Sequence, residues 1–197
     1  MTMAHKIRTL AMKHPGVRAV CYELGLYRDL LRWARGRVDV PCGATALPHP
    51  PGRLQILGFL TAVLVIELVT VHLLLPAGTV RLVALLLSVW GIVFVWGLVA
   101  SERVRPSFIG DQRLVLRRGR KIFADIPLVH VSQWSTRRSY QTDVTVNDEQ
   151  LTVGGSAGTD TQIILLEPVM ATEDTYPWQK KRTAPVTRIR FYAGGVL

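Results

Sequence analysis

Between Leu54 and Ala100 the chain runs through 47 residues with only two charged side chains, Glu67 and Arg81. A soluble fold would have to bury that block, and a chain of 197 residues has too little other sequence to do so. The block therefore reads as membrane-spanning. It divides into LQILGFLTAVLVIELVTVHLLL, residues 54–75, and LVALLLSVWGIVFVWGLVA, residues 82–100. At about 1.5 Å per residue the helices would be roughly 33 Å and 28 Å long, against a hydrocarbon core of about 30 Å. The six residues between them, PAGTVR, carry Pro76 and Gly78 and are too few to cross back over a bilayer. The two spans are therefore expected as an antiparallel hairpin.

Charge sets the expected orientation. Residues 1–53 hold nine Lys/Arg against three Asp/Glu, and residues 101–197 hold fourteen against ten. Arg35, Arg37 and Arg53 precede the first span, and Arg103, Arg105, Arg113, Arg117, Arg118, Arg120 and Lys121 follow the second, whereas the connecting loop offers only Arg81. Positive flanks stay on the cytoplasmic side, which places both termini in the cytoplasm of a multi-pass protein of the cell membrane. The same flanks account for the basic composition through topology and anionic lipid, so no nucleic-acid partner is expected. The N-terminal stretch MTMAHKIRTLAMKHPG lacks the apolar run of a cleavable signal, so the first span must itself direct insertion. Trp96 is expected near the inner headgroups and Trp90 within the membrane.

Three polar positions stand out inside the hairpin. Glu67 falls near the middle of the first span, where a carboxylate costs a few kcal/mol on insertion scales. Folding the hairpin about its turn brings positions summing to about 155 to equal depth, which sets Glu67 level with Ser88 and Gly58 level with Gly97. Glu67 then either bonds Ser88 to fix the register of the hairpin or of a dimer, or serves a partner subunit or an ion relay. His72 lies about 140° around the helix from Glu67 and does not share its face. Gly58, Gly91 and Gly97 are candidates for close backbone approach.

Residues 1–53 form a cytoplasmic basic segment. Within it, residues 17–35 have helical periodicity, with Val17, Val20, Cys21, Leu24, Tyr27 and Leu31 on one stripe. Pro15 and Gly16 mark a start and Gly36 a stop. The stripe suits either the inner leaflet or the soluble domain. Residues 39–53, rich in proline and glycine, read as a linker.

Beyond the hairpin, residues 101–197 change to a period of two and form a cytoplasmic β-rich domain. Short strands are expected at Ser107–Ile109, Arg113–Leu116, Lys121–Ile126, Val129–Trp134, Asp143–Val146, Leu151–Val153, Gln162–Leu166 and Val186–Tyr192, with turns at Asn147-Asp148 and Gly154-Gly155. Residues 168–185 read as a long surface loop. The fold class is thus α+β: a two-helix transmembrane hairpin, an N-terminal amphipathic helix and a small β-barrel or sandwich.

The run FIGDQRLVLRRGRKIFADIPLVHVSQW supplies Leu114, Leu116, Arg117 and Gly119, then Ile126, Pro127, Leu128, Val129 and Val131. Over about 30 residues it resembles the opening of bacterial PH-like domains attached to paired membrane helices. It departs from that pattern at its end, where AGGVL offers no closing helix. The hairpin with Glu67 and His72, the Arg105-Pro106 exit, and TVGGSAGTD followed by VTRIRFYA resemble a class of two-span actinobacterial membrane proteins. That resemblance implies no particular activity.

Signatures of chemistry are missing from the sequence. GGSAGTD lacks the Gly-Lys-Ser/Thr ending of a phosphate loop. His5, His14, His49, His72 and His130 have no metal-ligand spacing, and Cys21 and Cys42 form neither a metal motif nor a disulfide framework. No Ser, Cys or Asp sits in a nucleophile motif. No catalytic residue, metal or cofactor is expected. The basic turn formed by Arg117, Arg118, Arg120 and Lys121 reads equally as a lipid-headgroup patch or a solvated turn. The expectation is a membrane-anchored, non-enzymatic binding or scaffolding protein meeting membrane lipid and a protein partner or a second copy. The alternative is an accessory subunit of a transporter or envelope-assembly complex, contacting its partner through the hairpin.

Overall fold

The computed structural model describes residues 14–176, 179, 180 and 182–195, without the side chains of Arg53 and Leu54. The basic stretch before His14, with His5, lies outside them. The described chain is α+β, with three helices and a β-sheet domain.

Helix α1 spans Pro15–Ala34. Pro15 starts it, where no amide hydrogen is needed, and the His14 Nδ1 accepts a hydrogen bond from the Gly16 amide at 3.2 Å. Gly36, at φ 65°, ends it in the left-handed conformation that glycine tolerates. Helices α2 (Arg53–Leu74) and α3 (Thr79–Val104) form the hairpin, and both are long and apolar enough to cross a membrane. The second starts three residues before the expected span and runs four residues past it. Pro106 is the stop, because the residue before a proline is pushed out of the helical region. At 26 residues α3 is about 39 Å long. Its last turns bury Val99, Ala100, Ser101 and Val104 against the rest of the protein.

The hairpin register follows the folding-point rule. The Arg81 guanidinium lies 2.7 Å from His72 Nε2 near the tip, and Trp96 Nε1 donates to Thr61 Oγ1 at 3.1 Å lower down. Both pairs sum close to 155.

Nine strands are described. β1 (Thr45–Ala46), β2 (Phe108–Ile109), β3 (Arg113–Arg118) and β4 (Lys121–Pro127) make a four-stranded antiparallel sheet in that order. β5 (Val131–Ser139), β6 (Val144–Asn147), β7 (Gln150–Val153), β8 (Thr159–Thr172) and β9 (Thr183–Phe191) make a second sheet in the order β5-β8-β9-β7-β6, in which only β7 and β9 are parallel. One core joins them. Leu114, Leu116, Phe123 and Ile126 of the first sheet cluster with Leu151, Ile163, Ile189 and Phe191 of the second. The β6–β7 turn puts Asp148 and Glu149 at φ 49° and 58°, as a two-residue hairpin loop of the right twist demands.

Two expected loops are structured. The two ends of 168–185 form a ribbon: β8 continues to Thr172, β9 begins at Thr183, and Val169 pairs with Val186. Pro168 obscured this. It falls where the pairing register shifts between Ile164 and Val169, the kind of irregularity that accommodates a proline in a sheet. The supposed linker 39–53 is likewise part of the domain. The Asp39 amide bonds Val104 O at 2.7 Å, Thr45 and Ala46 pair with β2, and Leu47 is buried in the core. Two strand residues between turn signals are too few to register as a period.

Candidate functional site

Successive residues of α1 turn by about 100°, and this divides its surface into opposed faces. Tyr22, Gly25, Leu26, Asp29 and Trp33 point into the protein. Val17, Val20, Leu24 and Leu31 point out and are exposed. The apolar stripe read from the sequence is thus the uncovered face, and a second, less apolar face does the packing.

That second face meets α3 and the β3–β4 turn at one point. Leu26 is fully buried over Gly97, where an added Cβ would lie 3.1 Å from the Leu26 Cβ. Gly97 therefore admits α1, whereas Gly58 and Gly91 have open space before them and bring no backbone close. Trp33 and Trp96 pack with ring centroids 5.8 Å apart. Trp90 Nε1 donates to Glu23 Oε1 at 2.6 Å, and the Tyr27 hydroxyl donates to the same carboxylate oxygen. These two hydrogen bonds hold the Glu23 carboxyl below its ordinary range. Both tryptophans thus spend their N–H groups within the protein.

Asp29 is the centre of the junction and has no exposed side-chain surface. Its Oδ2 accepts from Arg120 Nε at 2.7 Å and from Ser101 Oγ at 3.3 Å. Its Oδ1 lies 3.6 Å from Arg105 Nη2 and 3.8 Å from Arg32 Nη1. One carboxylate therefore ties together α1, the end of α3 and the first sheet. A buried charge is tolerable only with such partners. Two glycines make the space. A Cβ on Gly25 would fall 2.0 Å from the Arg120 guanidinium, and one on Gly119 would fall 2.6 Å from Ser101 Oγ.

The basic turn is consumed by protein contacts. Arg117 Nε donates to Pro106 O at 2.7 Å, its Nη2 reaches Asp39 O, and its guanidinium lies over Phe108. Burial draws the Arg117 guanidinium below its ordinary pKa, with Asp39 opposing. Arg118 Nη2 donates to Gly154 O at 2.6 Å. Arg120 serves Asp29. Lys121 Nζ lies 2.5 Å from Asp174 Oδ1 and also donates to Thr175 O. All four thus have protein partners.

The polar candidates of the hairpin are not brought together. Ser88 is buried, but its hydroxyl donates to Ala84 O of its own helix at 3.1 Å. Glu67 stands on the exposed face of α2, and among the described residues nothing bonds it. His72 takes Arg81 as its neighbour at the hairpin tip.

Two cavities flank the junction. The smaller, about 90 Å³, lies between the end of α3 and the glycine-rich turn and is bordered by His49, Glu102, Arg105 and Ser156. There the glycines seat the former linker: Ser156 Oγ donates to Pro51 O at 2.6 Å, and a Cβ on Gly155 would fall 2.9 Å from Pro50 Cγ. The larger, about 330 Å³, is an open cleft between α1 and the β8–β9 ribbon end. Arg18, Cys21, Tyr22, Lys121, Tyr176 and Gln179 border it. Arg18 Nη2 bridges its mouth to Gln179 O at 2.5 Å. Burial, with Glu102 and Asp174 adding to it, raises the pKa of the Tyr22 phenol.

Sequence reasoning found Arg120 but not its destination. It also passed over Asp29, which looks like any charge on an amphipathic helix. The available signal was its position: it lies on the side of the helix opposite the apolar stripe, beside Tyr22 and Trp33.

The chain is an α+β protein with two apolar helices and a two-sheet domain. No family model matches it, and no match was found among curated proteins or solved structures.

Proposed function

We propose that this chain is an integral protein of the cytoplasmic membrane, with both termini inside, acting as a non-enzymatic binding or scaffolding protein at the inner face. One observation carries the reading. The outward surface of the hairpin is apolar and uncovered, while its base is enclosed by α1 and the β-domain. Phe59, Ile66, Leu73, Leu74, Val80 and Leu86 are each more than 60% exposed. Leaving such a side chain in water forgoes about 1.5–3 kcal/mol, so six of them argue strongly for a hydrocarbon surrounding. A core helix of a soluble protein would be buried instead. Only 6% and 11% of the most apolar 18 residues of the two spans are buried. The Asp29 junction then holds the β-domain against the membrane as a platform.

The PH-like reading of the β-domain belongs to the same proposal. It is supported by the β3–β4 hairpin, which carries Leu114, Leu116, Arg117 and Gly119, and by the facing of two sheets over one core.

Extraction and labelling test the anchor and its orientation. Membranes washed with alkaline carbonate should retain the protein. Cys21 and Cys42, both exposed, should resist an impermeant thiol reagent in intact cells and react after lysis. Release by carbonate, or labelling of intact cells, defeats the proposal.

A second reading, as an accessory subunit of a transporter or envelope-assembly complex, is favoured by Glu67. A carboxyl on an apolar surface without a described partner calls for a polar group from another chain. Glu67→Leu and Glu67→Gln should change the co-purifying partner or the oligomeric state in detergent. If both variants match wild type, that contact does not exist.

A further inference from the structure

The cleft beside Arg18 and the bare stripe of α1 are adjacent, and each lacks what the other's occupant would supply. The cleft is about 330 Å³, within the usual range for small-molecule sites. Its lining carries three cations, Arg18, Arg120 and Lys121, against one carboxylate, Glu173. Two of the cations are already paired, with Asp29 and Asp174. Arg18 is different. It is half-buried, its described hydrogen bond goes to a neutral carbonyl, and no described carboxylate neutralises it. Tyr22, one helical turn on, shares its side of α1, and nothing described bonds the Tyr22 hydroxyl. A guanidinium and a phenol O–H four residues apart on a helix make a donor pair for a phosphate oxygen.

Cys21 lies on the helix between this pair and the outward face. Past it run Val17, Val20, Leu24 and Leu31, all exposed. The same helix reaches the hairpin through Glu23 and Trp90, and the hairpin carries exposed apolar residues of its own. An anionic group in the cleft with hydrocarbon lying along the stripe would satisfy both features. A soluble acidic peptide would satisfy only the first.

We propose that the cleft between α1 and the β8–β9 ribbon end is a headgroup site for an anionic phospholipid of the inner leaflet. Arg18 and Tyr22 bind its phosphate, and its acyl chains lie along Val17, Val20, Leu24 and Leu31. The proposal rests on the membrane reading and deepens it by naming a ligand class and its residues.

The test uses the full chain in nanodiscs of phosphatidylglycerol mixed with phosphatidylcholine, then detergent extraction and mass spectrometry of the lipid retained. Wild type should retain phosphatidylglycerol in excess. Arg18→Gln should reduce that excess about fivefold, as expected for one arginine at an anionic surface. Arg18→Lys should restore part of it, and Tyr22→Phe, which keeps the ring, should weaken retention without loss of folding. Equal retention of the two lipids, or an excess unchanged in both Arg18→Gln and Tyr22→Phe, overturns the site. In detergent, inorganic phosphate should not displace the retained lipid at millimolar concentration. Displacement would identify a phosphate site rather than a lipid site and overturn the proposal as stated. A protein that resists carbonate yet retains both lipids equally loses this site but keeps its anchor. A protein released by carbonate loses both.

Discussion

The hairpin and the β-domain are comparably apolar where it matters, yet they satisfy that apolarity in opposite ways. In the β-domain, Leu114, Phe123, Ile163 and Ile189 find one another across two sheets and leave no side-chain surface to solvent. In the hairpin, Phe59, Ile66 and Leu86 find nothing, because two helices cannot cover each other's circumference. The domain carries its own core, whereas the hairpin depends on its surroundings for one. The contrast teaches where coupling has to be built. Under the proposed membrane reading the two regions are stabilised by different solvents and need a contact that belongs to neither, and here that contact is polar. Asp29 draws Arg120 from the β-domain and Ser101 from the end of α3 to a single buried carboxylate on α1.

Three substitutions or conditions probe that division, and the largest effect is expected in the domain. Phe123→Ala removes a fully buried ring from the centre of the core and should cost about 3–5 kcal/mol. Its signature should be selective. The β-domain should become sensitive to protease, while the hairpin still partitions with the membrane. Loss of membrane retention would mean that the two regions are one cooperative unit. Asp29→Ala should follow, at up to about 3–5 kcal/mol, because it leaves Arg120 and its neighbours without their buried counter-charge. Here the core should survive, and cleavage should appear instead around the α1 end, residues 35–44. Asp29→Asn, which keeps an acceptor for Ser101 and Arg120, should fall between this variant and wild type. Equal protease patterns for Asp29→Ala and wild type would show that the junction holds nothing.

The two regions also differed in how legible they were. The hairpin lies in the sequence as two long apolar runs and most of the β-strands as short segments between turn signals, and the structure places them within a few residues of expectation. Features made by contact between distant segments were not legible. Asp29 and Arg120 are 91 residues apart, and nothing local distinguishes a carboxylate that will be buried from one that will be solvated. The partners of the basic turn were hidden for the same reason, since four cations in five residues show nothing of Pro106, Gly154, Asp29 or Asp174. Thr45 and Ala46 were hidden by brevity, and the ribbon beyond Leu166 by Pro168. Helix α1 was half legible. Its strong stripe was visible, but the face that packs is marked by Gly25 and Gly97, whose significance is the absence of a side chain.

The smallest expected effect concerns the contact between α1 and the side of the hairpin, and it is a pH effect. Glu23 accepts from Tyr27 and Trp90, and both bonds favour its charged form, so its pKa in the folded protein lies below the ordinary 4.5. A depressed carboxyl contributes stability that is present above the ordinary value and lost as pH falls through the lowered one. Acidification from about pH 5 downward should therefore release the Trp90 indole, read as a shift in tryptophan emission that is absent in Trp90→Phe. Glu23→Gln should flatten the same titration while leaving the Asp29 junction closed to protease. If the emission shift persists unchanged in Glu23→Gln, another acid drives it, and the grip of α1 on the hairpin rests on the Leu26–Gly97, Trp33–Trp96 and Asp29–Ser101 contacts.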